Sequence, residues 1–422
     1  MKVLMLGWEF PPFQSGGLGT ACRDLCKGLS RQGIKITFVM PQAPDGAKAD
    51  AVRLVGANSI AMLKVRKVRS LLRAYQTSEE YTSQRAVYSG TISTPYGKNL
   101  FEEVHRLANA AEVLAAEPHD VIHVHDWMTY PAGIAAKKVS GRPIVAHIHA
   151  TEDDRTGGHP NPMIKDIEKH GLQSADIVVA NSKRTKENVL ALYGLDPEKV
   201  VVVHWGLDHD LPEYEKSFAS PWKSHDKLIV FLGRLTVQKG PEYFIEAAKR
   251  VLECTNNVRF VVAGGGDMLG ACVQRTIDRG LQNRLLFTGA IPWSDAQRLF
   301  QAADLFVMPS VSEPFGLVAL EALKNGAPII VSRQSGVSEV VQNCLKVDFW
   351  DIEDLAAKMI SVVRHTPLRE ELQKNGCREV LKFNLDEPAR KVIAVYERAI
   401  KSAAEHAKME KILSRDITIR SR

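Results

Sequence analysis

The sequence has little of what marks several large classes of protein. Its six cysteines among 422 residues show no spacing typical of a disulfide framework or a zinc site. It contains no run of about 18 apolar residues, so we expect no integral membrane association. Positive side chains exceed negative ones by only 6, without the concentrated basic stripe that nucleic-acid binding usually requires. These absences indicate a cytoplasmic protein that binds small anionic ligands and no nucleic acid.

Short apolar runs alternate with segments of helical periodicity in both halves of the chain. The first half contains KVLML, KITFVM, VIHVH, PIVAHIHA, IVVAN and VVVVHWG, and the second LIVFLG, VRFVVAGGG, LLFTG, LFVMPS and PIIVS. Continuous apolar runs separated by helices are typical of parallel sheets that are covered on both faces. We therefore predict an α/β protein with two Rossmann-like, doubly wound domains, residues 1–207 and 227–387, that face a central cleft.

Three further segments depart from this alternation. Prolines and charges replace the apolar periodicity in residues 208–226, which predicts a linker. Residues 388–422 predict a long charged helix that packs back on the first domain and ends in a frayed tail. Within residues 45–100, basic and apolar residues interleave in LKVRKVRSLLRAY. This pattern favours a solvated helix, but an acceptor-binding or membrane-contacting surface stays open.

The stretch SEPFGLVALEAL places one carboxylate before a helix and a second inside it. The proline after Glu313 disfavours a helical conformation there, and Gly316 permits a tight turn. We therefore expect Glu313 on a loop, a helix that begins near Leu317, and Glu321 more than one turn into that helix. The free N–H groups and the positive dipole end at the helix start suit an anion such as phosphate.

Cationic and glycine-rich loops follow other predicted strands. GRLTVQKG supplies Arg234 and Lys239 after LIVFLG, and two cations at this edge can neutralise a diphosphate. Gly17, in GGLG, and Gly265, in VVAGGGD, lie in turns where backbone N–H groups can approach a ligand or a nucleotide. The first turn does not have the GxGxxG spacing, and no acidic residue completes a dinucleotide-binding unit, so we do not expect NAD binding.

Histidines alternate in HVHDW and in HIHA, which puts each pair on one face of its strand. Such pairs can ligate a metal, with Asp126 as a further ligand, in a metal-dependent hydrolase. Matching ligands are not evident on later strands, so we expect no metal. His123 and His147 fit a protein core, whereas Asp126 and His149 follow the strands and fit the cleft.

These motifs resemble those of the retaining glycosyltransferases of family 4 and of the neighbouring glycogen and starch synthases, which have the two-domain GT-B fold. The resemblance covers nearly the whole chain, from GWEFPPFQSGGLG through HVHDW, ADIVVANS, GRLTVQKG and FTG to SEPFGLVALEALKNGAPIIVS. The last stretch is a specific match to the E-x7-E element of that family. EPFGLVALEAL is particularly close to the glycogen synthase version.

The resemblance implies that these loops bind a nucleotide-sugar donor. Arg234 and Lys239 would bind its diphosphate, and Glu313 would orient its sugar. The other implied contacts are the backbone around Phe315 and Gly316 at the sugar, the N–H groups near Leu317 and Val318 at the phosphate, and Glu321 at the ribose hydroxyls. The helix rise of about 6 Å between positions 317 and 321 agrees with the step from phosphate to ribose.

Across the cleft, the resemblance implies that His149 touches the donor sugar, that Gly17 lines the cleft and that Asp126 lies toward the acceptor. The implied reaction transfers glucose from ADP-glucose or UDP-glucose to the non-reducing end of an α-1,4-glucan. The configuration is retained without a stable covalent intermediate, and no cofactor or metal is implied. Gln14 stands where bacterial and plant glycogen and starch synthases usually have lysine, which leaves specificity for ADP-glucose open.

Three alternatives remain. A family 4 enzyme could instead act on a lipid-linked or cell-surface glycan. A glycoside hydrolase could use Glu313 and Glu321 as its carboxylate pair, but it has no use for a diphosphate site, so dependence on a nucleotide donor separates the two. A non-catalytic protein that binds sugar nucleotides is the third, although no expected charged residue is missing.

Overall fold

The computed structural model describes residues 1–12, 17–43, 49, 51–60, 100–210 and 226–420, with the backbone alone at residues 407 and 410–420. The basic stretch LKVRKVRSLLRAY, Gln14 and most of the predicted linker lie outside the described residues. The described chain forms two sheets with helices on both faces, and each sheet belongs to one half of the sequence.

The first sheet has seven parallel strands in the order β3-β2-β1-β4-β5-β6-β7. Its strands are β1 (Lys2–Leu6), β2 (Lys35–Met40), β3 (Arg53–Gly56), β4 (Val121–His125), β5 (Ile144–Ile148), β6 (Ile177–Ala180) and β7 (Val200–Val202). Every residue of β4, β5 and β6 is buried, as expected for central parallel strands that are covered on both faces.

The second sheet has six parallel strands in the order β10-β9-β8-β11-β12-β13. Its strands are β8 (Lys227–Leu232), β9 (Val258–Ala263), β10 (Leu285–Gly289), β11 (Leu305–Met308), β12 (Ile329–Ser332) and β13 (Leu345–Val347). In each sheet the strand order reverses direction beside the first strand, the arrangement of doubly wound domains. The structure confirms the predicted α/β fold with two Rossmann-like domains.

Helices connect successive strands in both halves. Those of the first half are α1 (Gly17–Arg31), α2 (Leu100–Leu114), α3 (Tyr130–Ser140), α4 (Glu152–Thr156), α5 (Pro162–Ser174) and α6 (Lys183–Tyr193). Those of the second half are α7 (Pro241–Cys254), α8 (Leu269–Asp278), α9 (Trp293–Ala302), α10 (Leu317–Lys324), α11 (Ile352–Arg364) and α12 (Thr366–Val380). The last helix is α13 (Asp386–Arg420). Within the described ranges, no helix has both the length and the apolar composition needed to cross a membrane.

Capping residues fix where the helices near the carboxyl edge of the first sheet begin. Thr151 and Asp154 form a reciprocal capping box at the start of α4, and the Ser182 hydroxyl accepts the N–H of Thr185 at the start of α6. Each cap turns the chain sharply from strand to helix. The residues between strand and helix are thereby held at the sheet edge where ligands bind in such folds.

The helix α13 packs on the first half of the chain, where it contacts α1, β4 and β5. Tyr396 of this helix is fully buried, and its hydroxyl lies 2.6 Å from Nδ1 of His123 in β4. The C-terminal helix therefore contributes to the core of the first domain beneath the edge where β4 and β5 end.

Candidate active site

An ion pair joins two of the predicted site residues at the carboxyl edge of the second sheet. Glu313, in the loop after β11, is 6% exposed, and its Oε2 lies 2.6 Å from Lys239 Nζ. The Ser310 hydroxyl donates to the same oxygen over 3.3 Å. Lys239 ends a short 3-10 turn in the loop after β8. Two loops that follow neighbouring strands therefore meet through a charged and largely buried contact.

A close approach of the two backbones makes this contact possible. Gly240 has φ of 63°, and a Cβ atom there would lie 2.4 Å from the carbonyl oxygen of Pro309. Val311 donates its N–H to the carbonyl oxygen of Gln238 over 3.0 Å. Glycine at position 240 thus meets two requirements, a left-handed backbone and the absence of a side chain.

The loop that carries Glu313 is fixed by backbone hydrogen bonds and leads directly into a helix. Glu313 donates its N–H to the carbonyl oxygen of Gln334, and its own carbonyl oxygen accepts the N–H of Gly336, each over 2.9 Å. Gly316 has φ of 106°, and a Cβ there would lie 2.9 Å from Met308 Cε. The helix α10 begins at Leu317, as the sequence predicts.

The start of α10 offers an anion-binding position beside the ion pair. No side chain of the described residues caps it, and the first N–H groups of a helix have no acceptor inside the helix. Leu317 and Val318 are half-buried there, and Phe315 is buried just before them. Together with Lys239, this edge therefore combines a helix dipole with a fixed cation.

Two further donor-site candidates lie on neighbouring loops. Arg234 is exposed in the loop after β8, two residues beyond the end of that strand. Gly265, after β9, is half-buried, and its carbonyl oxygen accepts the N–H of Leu235 over 2.9 Å. The loops after β8 and β9 are therefore tied together, next to the loop that carries Glu313.

Glu321 lies inside α10 with 8% exposure. Its pKa is raised to about 8, first by burial and then by the carboxylate of Asp24 on α1, whereas Arg23 and Lys324 lower it. In the described part of the chain its carboxyl group makes no hydrogen bond. Burial therefore keeps Glu321 largely neutral at pH 7, and the side chain faces a helix of the other half.

Asp126 ends the β4 strand region in an unusual conformation. It is fully buried and has φ of 60°, the left-handed region that aspartate tolerates better than most residues. Its Oδ1 accepts the N–H of His149 over 2.7 Å, and its own N–H donates to the carbonyl oxygen of His147 over 3.0 Å. Asp126 therefore fixes the backbone at the end of β5 through these two hydrogen bonds. The contact with the acceptor that the resemblance implies stays a prediction.

His149 is held on several sides at the carboxyl end of β5. Its Nε2 lies 2.9 Å from Nδ1 of His125, and its carbonyl oxygen accepts a hydrogen bond from Nδ2 of Asn181 over 2.9 Å. Its ring stacks on Trp205 with centroids 5.2 Å apart. Burial, then the neighbouring His125, His123 and Arg155, lower the pKa of His149 well below its usual value. The imidazole is therefore neutral at physiological pH.

Buried histidines and a cysteine could in principle hold a metal ion. Two groups bring three ligand atoms within 4.8 Å of one another, namely Cys22, His125 and His149, and His123, His125 and His147. In the second group the rings are stacked, with interplanar angles of 3° to 27°. A metal bonds to imidazole in the ring plane, so stacked rings do not converge on one ion. In the first group the two histidines use their facing nitrogens on each other, and neither group favours a metal.

Gly17 is the first residue of α1, at the carboxyl edge of the first sheet. It is exposed, and a Cβ atom built on it would meet none of the described residues within 4 Å. Two residues further on, Gly19 donates its N–H to Oε2 of Glu9 in the loop after β1. Packing against the described residues therefore does not require glycine at position 17, which is compatible with the implied place in the cleft wall.

The carboxyl edges of the two sheets are in direct contact. The Ser312 hydroxyl, next to Glu313, donates to Asp154 Oδ1 over 2.6 Å. The carboxylate of Glu339 accepts the N–H groups of Lys183 and Arg184, at the start of α6, over 2.9 and 2.8 Å. The predicted donor residues of the second half therefore lie opposite the strand ends that carry His149.

The structure thus brings the predicted site residues to two facing edges. Lys239 and Glu313 are in contact, and Asp126 is in contact with His149. The sequence interpretation did not select His125, Asn181 and Trp205, which hold His149. Asn181 follows β6, and Trp205 follows β7, so a search for polar or aromatic residues directly after each strand could have found both.

The arrangement combines neutral hydrogen-bonding groups on one edge with a paired cation and a helix dipole on the other. Such a site can bind an anionic group and a neutral polyol next to each other. Placed charges of this kind stabilise the charge that develops when an anionic group leaves. The chemistry that it suits is therefore transfer of a neutral group from an anionic carrier.

Comparisons with known proteins agree with this arrangement. The family model for glycosyltransferase family 4 matches residues 15–211, and that for glycosyl transferases group 1 matches residues 213–379. An uncharacterized glycosyltransferase of Methanocaldococcus jannaschii is 30% identical over 415 residues, which cover 95% of this chain and 99% of the relative. A glycogen synthase of Mycobacterium tuberculosis is 25% identical over 393 residues, which cover 92% and 91%.

The fold is also found in solved structures. The structure of HepE from Anabaena in complex with UDP-glucose superposes with a TM-score of 0.69 at 17% identity, and the match covers 94% of this chain and 100% of HepE. Identity this low shows the fold alone. With the two family models and the relative that is 30% identical over almost its full length, the comparisons establish that this chain belongs to the family 4 glycosyltransferases with the GT-B fold.

Proposed function

We propose that this glycosyltransferase is a retaining enzyme that moves glucose from ADP-glucose or UDP-glucose to the non-reducing end of an α-1,4-glucan. The observation that carries the proposal is the Lys239–Glu313 ion pair, 2.6 Å long, at the open start of α10. A cation, a carboxylate and a helix N-terminus at one sheet edge are the groups that a sugar diphosphate needs.

The diphosphate would lie against the start of α10. The N–H groups of Leu317 and Val318 and the positive helix end would meet its oxygens, with Lys239 and Arg234 as counter-charges. These groups supply the positive charge for the leaving diphosphate, so we propose that the reaction needs no metal and no cofactor.

The sugar would lie between the two edges. Glu313 would face the positive charge that develops at the anomeric carbon, and His149 would contact the sugar from the opposite edge. The departing phosphate would take the proton of the incoming hydroxyl on the same face of the sugar, so the configuration is retained. The work of the protein is then mainly positioning and electrostatic stabilisation.

The remaining donor contacts follow from position along α10. Glu321 lies one turn inside the helix, where a ribose would follow the diphosphate. Gly265, on the neighbouring loop, would border the nucleotide. The HepE structure holds UDP-glucose, which supports a nucleotide diphosphate sugar as the donor of this chain.

Two observations support a glucan acceptor. The stretch EPFGLVALEAL is particularly close to the glycogen synthase version of the motif. A glycogen synthase is also among the relatives, with 25% identity over 92% of this chain. Because a fold hosts many acceptors, the acceptor has to be tested directly.

The test is the release of nucleoside diphosphate from ADP-glucose and from UDP-glucose, with and without glycogen, in the presence of a chelator. The proposal expects release that requires glycogen, lengthens its chains and persists without free metal ions. Release that glycogen does not affect would indicate another acceptor, for which lipid-linked and cell-surface glycans are the next candidates. If neither donor yields nucleoside diphosphate, the glucose donor is wrong.

A further inference from the structure

The two ring nitrogens of His149 have different surroundings. Its Nε2 lies 2.9 Å from Nδ1 of His125, whereas its Nδ1 makes no hydrogen bond among the described residues. The Asp126 carboxylate and Asn181 hold its backbone, and Trp205 stacks on its ring. The ring is therefore fixed, and Nδ1 is the nitrogen left for a ligand.

One proton must lie between His125 and His149, and it can belong to either ring. If Nδ1 of His125 carries it, Nε2 of His149 is the acceptor and Nδ1 of His149 is an N–H donor. If Nε2 of His149 carries it, Nδ1 of His149 offers only a lone pair. The state of His125 therefore decides what His149 presents to a ligand.

The surroundings of His125 separate these two arrangements. Its Nε2 is completely buried and has no hydrogen-bond partner among the described residues. A neutral imidazole carries one proton, so in the second arrangement that nitrogen would be a buried N–H without an acceptor. Among backbone groups, unpaired buried N–H donors are rarer than unpaired buried acceptors, and we apply the same order to the ring nitrogens of His125. The first arrangement leaves only an unused lone pair at this position and is therefore favoured.

We infer that His125 is a positioning residue that holds His149 in the tautomer protonated at Nδ1, so that His149 presents an N–H donor to the substrate. The inference rests on the proposed function where it names the substrate. The Nδ1–H group of His149 would donate a hydrogen bond to an oxygen of the transferred sugar. In this role His149 is a neutral hydrogen-bond donor and transfers no proton. His125 acts only through His149.

The chain offers a matched control in the same cluster. The ring of His123 stacks on His125 with centroids 4.4 Å apart, and Nδ1 of His123 lies 2.6 Å from the hydroxyl of Tyr396. Tyr396→Phe removes one buried hydrogen bond in this cluster and leaves the His125–His149 bond in place. A general loosening of the histidine cluster would therefore affect this variant as well.

The first experiment compares His125→Leu, His125→Asn and Tyr396→Phe in the full-length enzyme by kcat and by KM for the donor. The Nδ2 amide of asparagine can place an N–H where Nδ1 of histidine lies. We expect His125→Leu to lower kcat about 10- to 100-fold with a smaller change in KM. His125→Asn and Tyr396→Phe should stay within a few-fold of the wild type. Wild-type kcat in His125→Leu, or equal losses in all three variants, would overturn the inference.

The second measurement needs neither turnover nor a His125 variant. Nitrogen-15 NMR of the wild-type protein with labelled histidine reports which ring nitrogen carries the proton, and the signals missing in His149→Asn identify His149. We expect a protonated Nδ1 and an unprotonated Nε2, and the reverse pattern would overturn the inference. If the wild type releases no nucleotide from either glucose donor, the proposed function fails while the NMR result still decides the tautomer.

Discussion

The two edges that face each other in this protein have the same topology and different electrostatics. Each consists of loops at the carboxyl ends of parallel strands. The edge of the first sheet presents His149, which burial and its neighbours keep neutral. The edge of the second sheet presents Lys239 and Glu313 as an ion pair beside a helix N-terminus. Topology therefore places the two edges opposite each other, and the residues after each strand give each edge its own chemistry.

The two edges differ because their polar side chains are buried in different ways. Histidines can be buried as neutral rings, because their usual pKa lies close to 7 and desolvation is enough to remove the charge. A buried charge persists only with a partner. The side chains of Lys239 and Glu313 are 22% and 7% exposed and pair with each other. A neutral edge and an edge with a paired charge are thus two ways in which one fold can line a candidate site.

The largest expected effect comes from removing the cation of the charged edge. We predict that Lys239→Ala lowers kcat/KM about 100- to 1,000-fold, because the leaving diphosphate loses a positioned positive charge. Stability should fall as well, since Glu313 is then buried without its partner. Donor turnover and urea denaturation measure the two effects.

Lys227→Ala is the matched control for this prediction. Lys227 pairs with Asp304 over 3.0 Å, with side chains 30% and 22% exposed, but it lies at the opposite end of β8 from the loop that carries Lys239. We expect it to lose some stability and almost no activity. Comparable losses of activity in both lysine variants would mean that the ion pairs act only through the fold, and wild-type turnover in Lys239→Ala would remove the diphosphate assignment.

A smaller effect is expected from the neutral edge. We predict that His149→Leu, which removes the ring N–H, lowers kcat about 10- to 100-fold, and that the ratio of wild-type to variant kcat stays constant between pH 6 and 8. The reason is that the pKa of His149 is lowered well below its usual value by burial, so its ring does not titrate in this interval. The measurement is the pH profile of kcat for both proteins.

A ratio that changes near pH 6.5 would contradict this picture of the neutral edge. It would show that His149 gains a proton in the working range and that its edge is not electrostatically distinct from the edge with Lys239. Each variant should first be shown to unfold cooperatively at both ends of the pH range.

The third effect concerns stability and comes from the buried carboxyl group of Glu321. The pKa of Glu321 is raised to about 8, mainly by burial, from an ordinary value of 4.5. The folded chain therefore keeps this proton up to about pH 8, whereas the unfolded chain releases it near pH 4.5. The associated stability is complete below pH 4.5 and is lost as the pH rises to 8.

Glu321→Gln removes this titration. The quantity compared is the free energy of unfolding of the variant minus that of the wild type. We predict that this difference is larger at pH 9 than at pH 5 by on the order of 2–4 kcal/mol. Urea denaturation at the two pH values measures the change, and comparing two pH values cancels any constant cost of the amide. An unchanged difference would mean that Glu321 is ionised in the folded protein.

The sequence predicted the fold and the charged edge well for physical reasons. Continuous apolar runs identify central parallel strands, and a proline and a glycine around Phe315 mark the loop before α10. The helix start at Leu317 followed directly from those two residues. The contact between Lys239 and Glu313 was not predicted, since it depends on β8 and β11 being neighbours in the sheet.

The contacts that hold His149 at the neutral edge could not be predicted from the sequence. His125 and Tyr396 belong to a core cluster that forms only when α13, far away in sequence, packs on β4. Aspartate tolerates the left-handed conformation that Asp126 adopts, but the residue type alone does not predict it. Nor does a sequence show how deeply Glu321 is buried, on which its raised pKa depends.

The smallest expected effect tests the tie between the two edges. The carboxylate of Glu339 accepts two N–H groups at the start of α6 and lies 3.0 Å from Nε2 of His204. Burial opposes its charge, but hydrogen bonds from His204, Arg184 and Lys183 outweigh burial and lower its pKa. The resulting stability is present above the ordinary pKa of 4.5 and is lost as the pH falls below it, opposite in sign to Glu321.

We predict that Glu339→Gln lowers the free energy of unfolding by about 1 kcal/mol at pH 7, less at pH 4, and leaves kcat within a few-fold of the wild type. Urea denaturation at both pH values and donor turnover at pH 7 are the measurements, with Glu321→Gln as the variant of opposite pH dependence. Glu339 joins the edges without contributing to either wall, so a loss of kcat comparable to that of Lys239→Ala would show that the contact between the edges is itself part of the catalytic site. The two edges would then contribute to catalysis together. Their difference in charge would not assign a separate catalytic role to each edge.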